Sequence, residues 1–240
     1  MLPGKPWSYE ALSRLLMGLL VCFLAIGLVA YVAEQRWPGS DAETRRMWRE
    51  VGGTVVFQTA TCALVGWSLR EQGMNWREAF GLSTRRWWRT LWLAALTVGA
   101  LVPFCVGLIL VTLKLMAWGA IAPQVQTMVR AVEQAATWPE RGLLSITAVV
   151  LAPLWEELFF RGILFTAIRQ AGFPRLGLWF SSLLFAGIHW NVLIFVPLVV
   201  FSAAMTWLYV RTENLLAAIM AHALFNGANL AYMLLGGSLV

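Results

Sequence analysis

Long apolar stretches separated by short polar segments run through the whole chain. Seven of them approach the roughly 20 apolar residues that a membrane-spanning helix requires. In a bilayer every backbone N–H and C=O must be paired within the protein, which favours helices here. The pattern therefore predicts an all-α, polytopic transmembrane helix bundle of about seven spans. The stretches cover residues 12–34, 51–69, 91–117, 143–168, 174–190, 192–210 and 214–236.

Two segments leave the span count between seven and eight. The residues from Leu176 to Val210 are nearly all apolar. A single helix of this length would measure about 50 Å, too long for a bilayer. The polar break from His189 to Asn191 therefore predicts a tight turn, with a re-entrant element as the alternative. The segment from Ile121 to Arg141 mixes polar and apolar residues, which predicts an interfacial helix.

Composition supports a membrane protein and excludes a soluble domain. Hydrophobic residues make up 60% of the chain and charged residues only 12%, against about a quarter charged in soluble domains. The net charge of +6 comes from basic residues that lie mostly between apolar stretches. Anionic headgroups of the lipid bilayer explain this placement better than nucleic acid does, so no nucleic-acid partner is expected.

The placement of charge also predicts orientation and location. With the N-terminus inside, more lysine and arginine residues fall in inner loops than in outer ones, which favours a seven-span protein with its C-terminus outside. The first apolar stretch is too long for a signal-peptide core and is predicted to be a retained span. No organelle-targeting signal is evident, so we expect a multi-pass protein of the bacterial inner membrane. Cys22, Cys62 and Cys105 lie singly in apolar stretches and are predicted to be packing residues.

Three charged residues, Glu156, Glu157 and Arg161, lie inside the fourth stretch. Each costs roughly 2.5–3.5 kcal/mol near the centre of a span. Glu157 and Arg161 are four positions apart, so they share a helix face and can pair. Glu156 is turned about 100° away, and a carboxylate without its own cation is suited to act as a general base. A proton relay, an ion site or helix packing are the alternatives. Pro153 should free a backbone carbonyl and bend this helix.

The chain has only two histidines, His189 and His222, and both lie in apolar stretches. Phe185 precedes His189 by one helical turn on the same face. His222 and Asn226 are also one turn apart, so they present two hydrogen-bonding groups side by side. Two donors at a fixed spacing are what an oxyanion hole requires.

Taken in order, Glu-Glu-x-x-x-Arg, Phe-x-x-x-His and His-x-x-x-Asn resemble the three motifs of the CAAX protease and bacteriocin-processing (CPBP) family. This family includes the type II CAAX prenyl endopeptidases. The resemblance covers residues from about 143 to 236. It divides the chain into an N-terminal three-span region with interfacial loops, residues 1–141, and a CPBP-like catalytic core of about four spans, residues 142–240.

The resemblance implies an intramembrane endopeptidase that hydrolyses a peptide bond of a membrane-associated protein or peptide. In the family's pattern, Glu156 and His189 activate a water molecule, and His222 with Asn226 stabilises the oxyanion. The other motif residues are implied to be structural support: Glu157, Arg161 and Phe185. The expected partners are the lipid bilayer and a membrane protein or peptide, whether a lipidated peptide, a precursor peptide or a C-terminal sorting tail.

The resemblance favours a glutamic-type mechanism that requires no cofactor. Zinc remains the alternative, because Glu156, His189 and His222 would supply three ligands to a catalytic ion with one open position.

Two other functions compete with proteolysis. The buried glutamates and histidines are also typical of a membrane transporter or an ion- or proton-conducting protein. The lack of internal duplication among the spans argues against a transporter. A non-catalytic family member acting as a scaffold or immunity factor is the third hypothesis, and the presence of every motif residue argues against it.

Overall fold

The structure, a computed structural model, describes residues 7–36, 42–124, 127–135 and 137–237, without the side chains of residues 42–50, 127 and 128. All regular elements in these ranges are helices, so the all-α prediction is confirmed. The chain divides into two compact units between Ala79 and Phe80. The helices are α1 (Tyr9–Arg36), α2 (Ala42–Glu71), α3 (Trp76–Phe80), α4 (Trp87–Trp118), α5 (Thr127–Gln134), α6 (Trp138–Gln170), α7 (Pro174–Gly187), α8 (Val192–Thr212) and α9 (Leu215–Leu234).

Within the described residues, five helices are long and apolar enough to cross a membrane: α1, α4, α6, α8 and α9. They coincide with five of the seven predicted spans. The stretch 51–69 lies inside α2, which is not among the five. The stretch 174–190 corresponds to α7, whose 14 residues reach only about 21 Å. The count of seven spans stays a prediction.

The first unit is built on the pairing of α1 with α2. Gly18 brings α1 close to α2, because a Cβ at this position would lie 3.1 Å from the side chain of Leu64. The rings of Phe23 and Phe57 meet edge to face, with centroids 6.2 Å apart. Small residues that admit close approach, together with aromatic contacts, are the usual means of packing helices in a membrane.

In the second unit, α8 packs against α4, α7 and α9, and α6 packs against α7 and α9. The helix α6 is irregular. Its residues Thr147–Leu151 and Leu158–Phe165 form π-helix, and between them Ala152–Glu157 is α-helical. Wider π turns that interrupt α-helices occur frequently at functional sites. Both glutamates of the first motif lie at the end of the α-helical piece, where the second π stretch begins.

Short turns join α7 to α8 and α8 to α9. Each turn contains a left-handed residue, Trp190 (φ 49) or Glu213 (φ 53), followed by an asparagine. The side-chain oxygens of Asn191 and Asn214 accept the backbone N–H two residues later, at 3.0 and 3.1 Å, so each asparagine caps the next helix. The tight turn predicted at 189–191 is therefore confirmed.

The segment predicted as an interfacial helix, Ile121 to Arg141, contains α5 and the beginning of α6. Residues 125, 126 and 136 of this segment lie outside the described residues. Its position at a membrane interface stays a prediction.

Candidate active site

A buried ion pair forms the base of the site. Nη1 of Arg161 lies 2.8 Å from Oε1 of Glu157, and both side chains are completely buried, which confirms the predicted pairing. The other guanidinium nitrogen, Nη2, donates to the carbonyl oxygen and to the hydroxyl of Ser202 on α8, at 2.7 and 2.8 Å. The guanidinium also lies over the Phe185 ring at 5.1 Å. A buried charge is tolerated only with such partners.

His222 connects the two glutamates. Its Nδ1 lies 2.7 Å from Oε1 of Glu157, and its Nε2 lies 3.6 Å from Oε2 of Glu156. Because an ionised carboxylate only accepts hydrogen bonds, the contact with Glu157 places a proton on Nδ1. The imidazole is also held by rings, with the centroids of Phe201 and Phe185 at 4.8 and 5.9 Å.

The two glutamates differ in access. The side chain of Glu157 is 0% exposed and that of Glu156 is 16% exposed. Glu156 lies within electrostatic range of both His189 and His222. The structure thus gathers predicted site residues from α6, α9 and the end of α7 around one partly accessible carboxylate.

His189 owes its orientation to the way α7 ends. Its backbone N–H bonds to the carbonyl of Ala186 at 3.3 Å, a tightened turn that leaves the carbonyl of Phe185 for the side chain. Nδ1 of His189 lies 2.7 Å from that oxygen. A carbonyl can only accept, so Nδ1 carries a proton and, in the neutral ring, Nε2 keeps its lone pair. The ring also lies beside Phe185, with centroids 4.9 Å apart.

Asn226 binds to the irregular backbone of α6. Its Nδ2 donates to the carbonyl of Ala148 at 2.9 Å. This carbonyl is available for a local reason: the N–H of Ala152 bonds to Thr147 in the π register, and the next residue, Pro153, has no N–H to give. The predicted effect of Pro153, a freed carbonyl, thus appears where Asn226 binds.

His222 and Asn226 both point towards α6, as their spacing predicts, but they contact different atoms. His222 reaches the glutamates, whereas Asn226 reaches the first π stretch. An amide nitrogen carries two hydrogens, so one N–H of Asn226 is left for a second acceptor.

Ser202 and Phe201 hold Arg161 and His222 from α8, and neither was predicted from the sequence. Ser202 is completely buried in an otherwise apolar stretch. A small hydroxyl residue in a span often makes a hydrogen bond between helices. That signal could have marked the residue, although not its partner.

The arrangement of Glu156, His189 and His222 can be compared with what a zinc site requires. In both histidines Nδ1 is already hydrogen-bonded, which leaves only Nε2 as a metal ligand. Among the residues that the structure describes, no group of three or more His, Cys, Asp or Glu side chains could hold a metal ion. Glu156, His189 and His222 therefore do not form a three-ligand site in this arrangement. Independence from a cofactor stays a prediction.

Comparison with known proteins agrees with the motifs. Residues 138–228 match the family described as Type II CAAX prenyl endopeptidase Rce1-like. This range contains all three motifs, so the predicted resemblance is confirmed for this part of the chain. The UPF0177 protein YaiF of Lactococcus lactis subsp. lactis (strain IL1403) is 36% identical over 85 residues, which are 34% of this chain and 36% of that relative. The chain thus matches about a third of that relative's length. No solved structure is significantly similar to the chain.

Proposed function

We propose that this integral membrane protein, whose residues 138–228 match the Rce1-like family, is an intramembrane endopeptidase. One observation carries the proposal. Glu156 is a partly accessible carboxylate that faces His222 and lies within range of His189, while its neighbour Glu157 is sealed in a pair with Arg161. A site of this kind can hold a water molecule beside a base within an apolar surrounding.

The accessible carboxylate is the better base. Glu157 already accepts from Arg161 and His222 through Oε1, so taking a proton would weaken a buried ion pair. The contact of Glu156 with Nε2 of His222 is longer, 3.6 Å, so this carboxylate can take a proton without losing a short hydrogen bond. We assign to Glu156 the proton of a water molecule whose oxygen attacks the scissile carbonyl carbon, and to Nε2 of His189 the orientation of that water. The protonated Glu156 then gives this proton to the amide nitrogen, so that the C–N bond breaks and the amine leaves as the carbonyl re-forms.

The oxyanion formed in this attack requires donors. Nδ1 of His222 is committed to Glu157, so only Nε2 can donate to an oxyanion, and it carries a proton only in the imidazolium form. Two carboxylates, the Arg161 guanidinium and an imidazolium together are electrically neutral, which is the favourable state for a buried cluster. The free N–H of Asn226 supplies the second donor.

The proposed substrate is a membrane-associated peptide or protein. The family's description names a CAAX prenyl endopeptidase, which makes a prenylated C-terminal peptide the first substrate to test, ahead of precursor peptides and sorting tails. The proposed location is a bacterial inner membrane.

The decisive experiment compares Glu156→Gln with the wild-type protein in liposomes, with an internally quenched, farnesylated CAAX peptide as substrate. We expect the variant to lose about 100- to 10,000-fold in cleavage rate, the usual contribution of a general base. The control is Glu133→Gln, which changes an exposed glutamate on α5 and should cleave normally. Undiminished cleavage by Glu156→Gln would refute the proposal.

If the wild-type protein leaves the peptide intact, a second experiment tests the other substrate classes. It sequences the new N-termini in membranes that express the wild-type protein and compares them with those in membranes that express Glu156→Gln.

A further inference from the structure

The side-chain nitrogens of Asn191 and Asn214 make equivalent contacts at the two ends of α8. Nδ2 of Asn191 donates to the carbonyl of Gln124 at 2.7 Å, and Nδ2 of Asn214 donates to the carbonyl of Ser83 at 2.9 Å. Ser83 precedes α4 and Gln124 follows it. Both asparagines are buried, with 8% and 7% exposure. Each one therefore caps a helix with its oxygen and binds a segment that flanks α4 with its nitrogen. The Oδ1 of Asn214 also accepts the N–H of Ser83 at 3.4 Å.

The two turns differ in what lies beside them. Asn191 comes two residues after His189, whose ring belongs to the candidate site. Asn214 lies at the far end of α8, and the nearest site residue along the chain, His222, is two helical turns further on in α9. The same contact thus occurs once beside the site and once away from it.

The orientation of His189 depends on where α7 stops. Its Nδ1 contact uses the Phe185 carbonyl, which is available only because the last turn of α7 tightens onto Ala186. Trp190, the one residue between His189 and Asn191, is 89% exposed and contributes little packing to hold the turn. The N–H of Trp190 bonds back to Gly187 in the same turn, so the bond of Asn191 to Gln124 is the first after His189 that ties the turn to another segment.

We propose that Asn191 is a positioning residue for His189. By donating to Gln124, it fixes the end of α7, which keeps Nδ1–H of His189 on the Phe185 carbonyl and leaves Nε2 free for the reaction. The catalytic consequence rests on the proposed function, whereas the effect on the imidazole does not.

The matched variants are Asn191→Ser and Asn214→Ser. Serine still caps a helix, but its side chain is too short to reach the carbonyl that Nδ2 binds. Each variant therefore removes the bond from Nδ2 and keeps the cap, and Asn214→Ser also removes the longer bond that Oδ1 accepts from the N–H of Ser83. The chain has only two histidines, so nitrogen-15 labelling of histidine in nanodiscs gives one pair of imidazole nitrogen signals from each ring. The pair that remains in His222→Gln belongs to His189.

We expect the wild-type His189 signal to show a single tautomer with the proton on Nδ1. In Asn191→Ser it should shift towards a mixture of tautomers, and in Asn214→Ser it should stay unchanged. Cleavage of the farnesylated peptide should fall about tenfold or more in kcat for Asn191→Ser, since small displacements of a catalytic group are costly, and less than about twofold for Asn214→Ser.

An unchanged His189 signal in Asn191→Ser, or an equal shift in both variants, would overturn the proposal. If Asn191→Ser does not fold, Asn191→Asp replaces it, because the carboxylate keeps the cap but offers no donor to Gln124. If Asn191→Ser shifts the His189 tautomer but the wild-type protein cleaves no peptide, the positioning role is supported and the proposed protease activity is not. A failure of the positioning role can therefore be told apart from a failure of the proposed function.

Discussion

Glu156 and Glu157 are adjacent in sequence, yet they occupy different environments. Glu157 shares one carboxylate oxygen between Arg161 and His222 and is completely buried. Glu156 keeps partial access and faces Nε2 of His222. The difference follows from helix geometry, because residues one position apart point in directions about 100° apart. Replacing Glu157 should therefore lower the stability of the protein, whereas replacing Glu156 should lower its activity.

Replacing Glu157 tests this difference. Glu157→Gln removes the negative charge beside Arg161, which remains buried with its bonds to Ser202. We expect a loss of about 3–5 kcal/mol in stability, the usual cost of leaving a buried charge unpaired. Thermal unfolding in detergent and the amount of protein in the membrane measure it. Glu156→Gln should retain wild-type abundance, and equal losses in the two variants would show that this division of roles is incorrect.

The helix α6 departs from regular geometry on both sides of the residues that it contributes to the site. Its two π stretches flank the short α-helical piece that ends in the glutamates. The first stretch, with Pro153, leaves the carbonyl that Asn226 binds. The second stretch contains Arg161 and Gly162, and it passes close to Phe80 and Leu215. The helix is thus fixed by contacts on both sides of its polar residues.

Gly162 offers a test of that close packing. A Cβ at this position would lie 2.8 Å from Phe80, whose ring is completely buried. Gly162→Ala should therefore destabilise the protein by about 1–3 kcal/mol, as overpacking does. The control is Gly107→Ala in α4, where a Cβ would meet nothing within 4 Å and the better helix propensity of alanine should be neutral or stabilising. Thermal unfolding compares the two, and equal melting temperatures would contradict the packing argument.

At the scale of the whole molecule, α8 sets the distance between the two turns. It is a single helix of 21 residues, which corresponds to about 31 Å and to the thickness of a bilayer core. Trp190 and Glu213 should therefore lie on opposite sides of the membrane. The predicted orientation, with the N-terminus inside, puts Trp190 outside and Glu213 inside.

Cysteine labelling tests this orientation. After Cys22, Cys62 and Cys105 are replaced by alanine, single cysteines are introduced as Trp190→Cys and Glu213→Cys. An impermeant maleimide should label the first in intact cells and the second only after the membrane is opened. The cysteine-free protein is the control for background. If only Glu213→Cys is labelled in intact cells, the orientation is opposite to the predicted one. If both cysteines are labelled in intact cells, α8 does not span the membrane.

Several features could be predicted from the sequence because they depend only on local spacing. Apolar length predicted the helices, the polar break at His189 to Asn191 predicted the turn, and a four-residue interval predicted the pair of Glu157 with Arg161. The order of three motifs predicted the family match over 138–228. The helices and the ion pair follow from the rise and rotation of one helix, which neighbouring elements change little.

The contacts between side chains of different helices could not be predicted in this way and are known from the packed structure. It brought His222 to both glutamates, Ser202 to Arg161, and Asn191 to Gln124. Such contacts depend on how each helix is rotated and shifted along its neighbours, and in α6 on π turns that alter the angle between successive side chains. An apolar span looks similar in sequence at every rotation, so the positions of these partners are fixed by packing alone.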